Sequence, residues 1–259
     1  MRDPWLPILM ILIVVVGVWL GISGPLPNGV TSWLHYWQTL IGVGVALIAA
    51  CIAFSNTTRS LKHGQWLEDR RRSRKQAAVR AVLPLALAQV SSYAENSARA
   101  LNALIDNCVD EALPRKSIPI DFVERLPSET LAVLAELIEY SDNMDASVIE
   151  TTVAWIQIHD SRLRGLLHDN YDPLEEHTVV RNEIEGLIVD AASIYAGAGA
   201  VYGYARRQQT ALPTTITWDD VRSALRNMRF WDGQYPRLGA NVGRREARWP
   251  TPIDQLTRR

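Results

Sequence analysis

The sequence predicts an all-α protein: a two-helix transmembrane hairpin, a long juxtamembrane helix, a cytoplasmic helical bundle and an irregular C-terminal tail. Three observations predict it. Two uncharged apolar runs lie within the first 54 residues, the remainder repeats its apolar positions at steps of three and four, and no stretch alternates as a strand would. The expected domains are residues 1-54 for the hairpin, 55-82 for a basic juxtamembrane helix, 83-230 for an acidic helical body and 231-259 for a basic irregular tail. No internal repeat is visible.

The hairpin comes first. Trp5–Ile22 is 18 residues long and Ser32–Phe54 is 23, and neither contains Asp, Glu, Lys or Arg. As helices they would rise about 27 Å and about 35 Å, against a hydrocarbon core roughly 30 Å thick. The turn between them, Gly24–Thr31, has no Lys or Arg, whereas Arg59, Lys62 and a basic cluster follow the second run. Positive residues close to a span mark its cytoplasmic end. The expected placement is therefore an integral membrane protein with two spans (residues 5-22 and 32-54) and both termini cytoplasmic, of bacterial inner-membrane type. Trp5, Trp33 and Trp37 suit the interface. A cleaved signal peptide over Met1–Ser23, with Gly21-Ile22-Ser23 as its site, is the rival reading. The length of the apolar run and the second span directly behind it favour the hairpin.

Gly17 and Gly21 on the first run, and Gly42, Ala46 and Ala50 on the second, have the small-residue spacing that lets helix backbones approach in a membrane. Packing within one hairpin explains them, and a dimerisation face is the alternative. With no ionisable group in either run, an ion or proton path has no support.

Formal charge is −1, but it is arranged in blocks. Ser55–Val82 carries eight basic and two acidic residues, Leu83–Leu225 ten and 22, and Arg226–Arg259 eight and three. Such blocks speak of partners rather than fold. Arg70, Arg71, Arg72, Arg74 and Lys75 are expected to lie at the membrane surface, each worth on the order of 1 kcal/mol against anionic headgroups. A solvated helical face is the plainer reading. Nucleic acid is not an expected partner, because Trp66 is the lone aromatic among these charges. The two cysteines, Cys51 and Cys108, imply no disulfide framework.

Ser55–Leu113 reads as one long helical stretch with Gly64 and Pro84 as its breakers. Val79, Leu83, Ala86, Val90, Tyr93, Ser97, Leu101, Leu104 and Cys108 form its stripe, and Pro84 is expected to bend it where the stalk enters the body. Pro114–Pro127 should be an ordered loop anchored by Phe122 and Leu126. Helices are then expected from Ser128, as N-cap, to Tyr140, from about Ala146 to His168, over Leu174–Arg207, and from Thr217 to about Phe230. Asp172, Pro173 and Glu175 would start the third of these, and a Thr217/Asp220 capping box the last. Within Leu187–Ala205 the one charge is Asp190, which points to a buried central helix rather than a third span. Gly197, Gly199 and Gly203 would let other helices approach it.

The tail has Gly233, Pro236, Gly239, Gly243, Pro250 and Pro252, so it should lack long helices. Trp231 and Trp249 are expected to anchor it against the acidic helices, with its arginines pairing with surface carboxylates.

Chemistry is sparse. His159-Asp160, His168-Asp169 and His177 are the best enzymatic candidates, since His-Asp pairs can hold metals for phosphoester hydrolysis. Nine residues separate His159 from His168, which puts them on opposite sides of a helix. A metal site would need His168, Asp169, Glu176 and His177 to converge. The Gly197–Gly203 run lacks the spacing and the preceding strand of a nucleotide fingerprint. No catalytic residue and no cofactor are expected, and whether the chain is an enzyme leans towards no. The expected partners are the lipid bilayer and another protein or a second copy of the chain. The reading is a membrane-anchored interaction, scaffold or sensor module. The alternatives are a membrane-tethered metal-dependent hydrolase using residues 168-177 and a membrane-perturbing effector.

Overall fold

The structure, a computed structural model, describes residues 30–122, 125–141, 146–172 and 178–257. The first apolar run, with Gly17 and Gly21, lies outside them. The regular structure described is α-helical: α1 Val30–Ile105, α2 Ser128–Tyr140, α3 Ser147–Tyr171, α4 Arg181–Ala205, α5 Trp218–Asn227, α6 Pro236–Arg248 and the single turn α7 Asp254–Thr257. Among the described residues there are isolated bridges, Val109 with Ala112 and Ala112 with Val180, but no strand. The chain divides into two compact units, Met1–Arg71 and Arg72–Arg259.

In the first unit, α1 exposes the apolar side chains of the second run: Val43, Val45, Ile48, Ile52 and Phe54 are all more than half accessible. Gly42, Ala46 and Ala50 are exposed too, and a Cβ built on Gly42 meets nothing within 4 Å. Thr57 and Thr58 return their hydroxyls to the carbonyls of Ala53 and Phe54, so the first polar residues beyond the apolar run satisfy themselves on the helix.

The second unit has one continuous core. Its part of α1 buries Val79, Leu83, Ala86, Val90, Tyr93, Ser97, Leu101 and Leu104, the stripe read from sequence, together with Leu87, Ala94 and Ala98. The helix runs through Pro84 without ending. Leu83 and Leu87, both at most 2 % exposed, pin the turns on either side of it to the core, and that packing offsets the hydrogen bond proline cannot donate. The helix stops at Ile105, short of Leu113, where Asn107 and Cys108 close tight turns on Leu104 and Ile105.

The loop that follows is ordered by one side chain. Asn170 is 2 % exposed at the end of α3. Its Oδ1 accepts from Ser117 N (3.1 Å) and Ile118 N (3.2 Å), and its Nδ2 donates to Pro114 O at 2.9 Å. Tyr171 donates its hydroxyl to Ile118 O at 2.8 Å. Phe122 and Leu126 pack against the core beside it.

Pro127, not Ser128, occupies the N-cap of α2, and no side chain caps that end. α3 extends three residues past His168 to Tyr171. α4 begins at Arg181 rather than Leu174. Residues 173–177 lie outside the described chain, so the Asp172-Pro173-Glu175 start is not placed there. Instead Glu183 accepts from Val180 N at 3.1 Å and closes the first turn. Two helices, α1 and α4, are long and apolar enough to cross a membrane, and the apolar window of α4 is 72 % buried inside the body. Gly197 explains how α3 reaches it: a Cβ at that position would overlap the Thr152 hydroxyl. The expected capping box on α5 is present, with Thr217 N on Asp220 Oδ2 at 2.8 Å and Asp220 N on Thr217 Oγ1 at 3.2 Å.

The tail is the main correction. It holds a 13-residue helix, α6, which starts with Pro236 at its first turn and packs on α4 and α5. Proline is favoured at that position because its missing N–H would have been unpaired anyway. Gly239 and Gly243 lie inside the helix without breaking it. Leu238 and Val242 at 3 % and 0 % exposure hold the apolar face down, and that burial exceeds the roughly 1 kcal/mol cost of each glycine.

Candidate functional site

The His-Asp turn is an exposed helix end. His168 is 66 % exposed at its side chain and lies 3.7 Å from Asp169 and 3.8 Å from Asp172. Glu176 and His177 lie outside the described residues. Among the described residues, no group of three or more His, Cys, Asp or Glu side chains is placed to hold a metal.

The basic cluster after the second run divides between the two units. Arg70 stacks on Trp66 with its guanidinium carbon 5.1 Å from the ring centre, and Arg71 pairs loosely with Glu68 at 3.8 Å. About 24 Å of helical rise separates Phe54 from Arg70. In the second unit, Arg72 and Lys75 reach the C-terminal end of α2. Arg72 donates to Tyr140 O at 3.4 Å and Ser141 O at 3.1 Å, and Lys75 donates to the Tyr140 hydroxyl at 2.6 Å. Arg72 serves carbonyls at a helix terminus, where the last turn lacks partners, and Lys75 holds the Tyr140 side chain beside it. The Tyr140 contact and its nearby carboxylates hold the Lys75 ammonium above its ordinary range. Arg74 is exposed.

The tail arginines meet buried carboxylates of α4. Glu185 has a side chain only 4 % exposed and receives Arg181 Nε at 3.1 Å and Arg237 Nε at 3.0 Å. Arg237 also forks onto both oxygens of the exposed Glu111 at 2.8 Å, and that bidentate bond holds Glu111 below the usual carboxylate range. Asp190, the lone charge of the apolar stretch, is 15 % exposed. It takes Arg245 Nη1 at 2.5 Å and Arg162 Nη1 at 2.7 Å. Arg245 further donates to Gly186 O at 2.9 Å. Beside this clamp is an open cleft of about 440 Å³ lined by Asp169, Glu183, Leu166 and Val179. Trp249 packs against the core, and its carbonyl accepts the Trp218 indole N–H at 2.8 Å. Trp231 is 54 % exposed. Leu238, Asn241 and Val242 are the buried side chains of α6, with Tyr235, Trp249 and Ile253 packed against the core around it.

A second polar group lies inside the core. His159, 0 % exposed, meets the Tyr93 ring edge-on at 6.1 Å between centres. Both its nitrogens, the Tyr93 hydroxyl and the Ser97 hydroxyl lack a hydrogen-bond partner among the described residues. Burial pushes the imidazole down to about 4 and the phenol up to about 12. A histidine held neutral in this way is a core residue.

A third feature was not read from the sequence. Arg80 at the edge of α1 lies flat over Tyr204, 4.1 Å from the ring centre, and donates to Tyr204 O at 2.8 Å and Gln209 O at 2.7 Å. The charge run gave no hint of it, since Arg80 looks like one more collar cation. The Asp190 clamp could have been found: a lone carboxylate in a buried helix requires a partner, and the arginine-rich tail was the available source. Compared with protein-family models, curated proteins and solved structures, the chain matches none of them.

Proposed function

We propose that the protein is a membrane-anchored helical module whose body acts at the cytoplasmic face by contact with another protein or a second copy of the chain. One observation carries the anchoring. The uncharged stretch from Val30 to Phe54 is helical, and Val43, Val45, Ile48, Ile52 and Phe54 on it are uncovered, with exposures from 53 % to 66 %. A row of apolar side chains this long is stable when lipid covers it. The outer limb is Trp5–Ile22, the turn at 24–31 faces away from the cytoplasm, and the membrane is of bacterial inner-membrane type. Both termini are then cytoplasmic, as the positive block after Phe54 requires. The interaction role rests on the separation of basic and acidic blocks, which steers encounter with charged partners.

Reporter fusions test this. An enzyme active only in the cytoplasm is fused after Arg259, and one active only outside is inserted within 24–31. Both are expected to be active, with the protein retained in membranes after an alkaline wash. A silent C-terminal reporter, or release by the wash, would overturn the reading.

A further inference from the structure

One cleft, where the basic stretch of α1 meets the turn after α4, brings two arginines together without a carboxylate in its lining. It lies between α1 and the turn that ends α4, measures about 440 Å³, and is lined by Ser73, Gln76, Ala77, Arg80, Tyr204, Arg207 and Thr210. All these residues belong to the second unit. Arg80 belongs to the basic stretch Ser55–Val82 and Arg207 to the acidic stretch Leu83–Leu225, where acidic residues outnumber basic ones by 22 to ten; the two face one opening with no acid among its lining residues.

The two arginines differ in how they are held. Arg80 is fixed by its stack on Tyr204 and by the carbonyls of Tyr204 and Gln209. By occupying those carbonyls it also neutralises the electronegative end of α4, which would otherwise repel an anion. Gln76 Nε2 donates to the Tyr204 hydroxyl at 3.3 Å and steadies the same wall. Arg207 has no carboxylate partner among the described residues. It also sits in the left-handed region, at φ 61°. Gln208 N reaches Gly203 O at 2.9 Å and Arg207 N reaches Tyr204 O at 3.0 Å, which makes position 207 the one where glycine is normally favoured after a helix. A side chain kept at a strained position points to a use for that side chain. Arg229 has a similar backbone after α5 but lines neither this cleft nor the one beside Asp190.

We propose that this cleft binds a phosphomonoester, with its phosphate between Arg80 and Arg207 and its hydroxyl groups against Ser73, Gln76 and Thr210. Guanidinium forks match phosphate oxygens, and their charge is retained at any working pH. The volume exceeds that of phosphate alone and falls in the range of small-ligand sites, so a glycerol or sugar phosphate is the fitting size. The phosphate could come from a soluble metabolite or from a lipid headgroup; the soluble form is the one assigned. The assignment stands apart from how the chain is anchored.

The test uses the full chain in phosphatidylcholine nanodiscs and reads the unfolding midpoint and calorimetric binding. Glycerol 3-phosphate is the probe, with glycerol plus sodium chloride at equal ionic strength as control. The wild-type midpoint is expected to rise by about 3–6 °C when the probe is tenfold above its Kd. Arg207→Gly relieves the backbone, so its midpoint without ligand should be at or above wild type while the ligand shift and the binding heat vanish. That separates lost binding from lost folding. If only discs containing phosphatidic acid give an Arg207-dependent shift, the phosphate chemistry stands and its source is the lipid headgroup. No Arg207-dependent effect from either probe, or equal shifts in wild type and Arg207→Gly, overturns the site.

Discussion

α1 and α4 carry apolar segments of nearly equal mean hydropathy, 1.3 and 1.4, in opposite surroundings: none of the first window is buried inside the protein and 72 % of the second is. Hydropathy alone does not separate them. Their charges and the burial of their small residues do. α4 lines its faces with Ala191, Ala192, Ala196, Gly197 and Ala198, all buried, which lets neighbouring helices approach on several sides. It also contains Asp190, for which the fold supplies Arg245 and Arg162. The apolar run of α1 has no charge and exposes Val43, Val45, Ile48, Ile52 and Phe54. A helix built for a protein interior brings its polar partners with it, and a helix built for lipid dispenses with them.

Six substitutions probe this difference, beginning with the largest effect. Ile188→Arg places an unpaired charge at a site with 0 % exposure. Its cost is on the order of 5 kcal/mol, comparable to a whole domain's margin, so the cooperative helical melt in detergent should disappear. Ile48→Arg should leave that melt intact and act on membrane insertion instead, by about 2.5–3.5 kcal/mol. Equal damage to the melt from both changes would erase the distinction.

Next is the clamp. Asp190 and Arg245 are 15 % and 17 % exposed, so removing one leaves the other nearly dry. Asp190→Leu should cost about 3 kcal/mol in denaturant unfolding, and Arg245→Met less, because Arg162 stays on Asp190. The double variant should recover part of that. Simple additivity would mean the pair is not coupled.

His159 gives a pH signature. The free imidazole titrates near 6.5 and the buried one near 4, so the unfolded chain takes up the proton first as pH falls. The stability that comes from keeping His159 neutral is full above pH 6.5, declines between 6.5 and 4, and is level below 4. The total is about 3 kcal/mol. Asp160 on its own helix and Asp190 on α4 favour the charged form, whereas Arg162 opposes it. His159→Leu should remove this part of the slope; comparing the two proteins at pH 7 and pH 5 cancels the carboxylates common to both. Identical slopes would place the imidazole in contact with water.

The smallest effect belongs to Arg72. Its replacement by Ala removes two donors from the exposed C-terminal end of α2. The expected loss is below about 1 kcal/mol, seen as faster amide exchange in α2 rather than a lower midpoint.

The helical character of the body was legible because its stripe is long and periodic: Val79 to Leu104 carries one pattern through seven turns, and Asp190 marked α4 as internal. Pro84 lies inside a helix that continues through it, held by packing at Leu83 and Leu87. Gly239, Gly243 and Pro236 misled in α6. Each is a breaker by propensity, yet the face formed by Leu238 and Val242 decides the outcome. The cleft at Arg80 and Arg207 was not legible at all, because it joins residues 127 positions apart through a helix-end turn whose backbone the sequence does not announce.

The Arg245–Asp190 bond joins positions 55 residues apart. At a synthesis rate of about 5–20 residues per second, the ribosome needs roughly 3–11 s to make the stretch between them. During that interval α4 is complete, yet Asp190 lacks Arg245 and Glu185 lacks Arg237. The nascent body therefore waits, with its central helix hydrated at two points, until α6 emerges, and its final collapse is timed by translation as much as by its own folding rate.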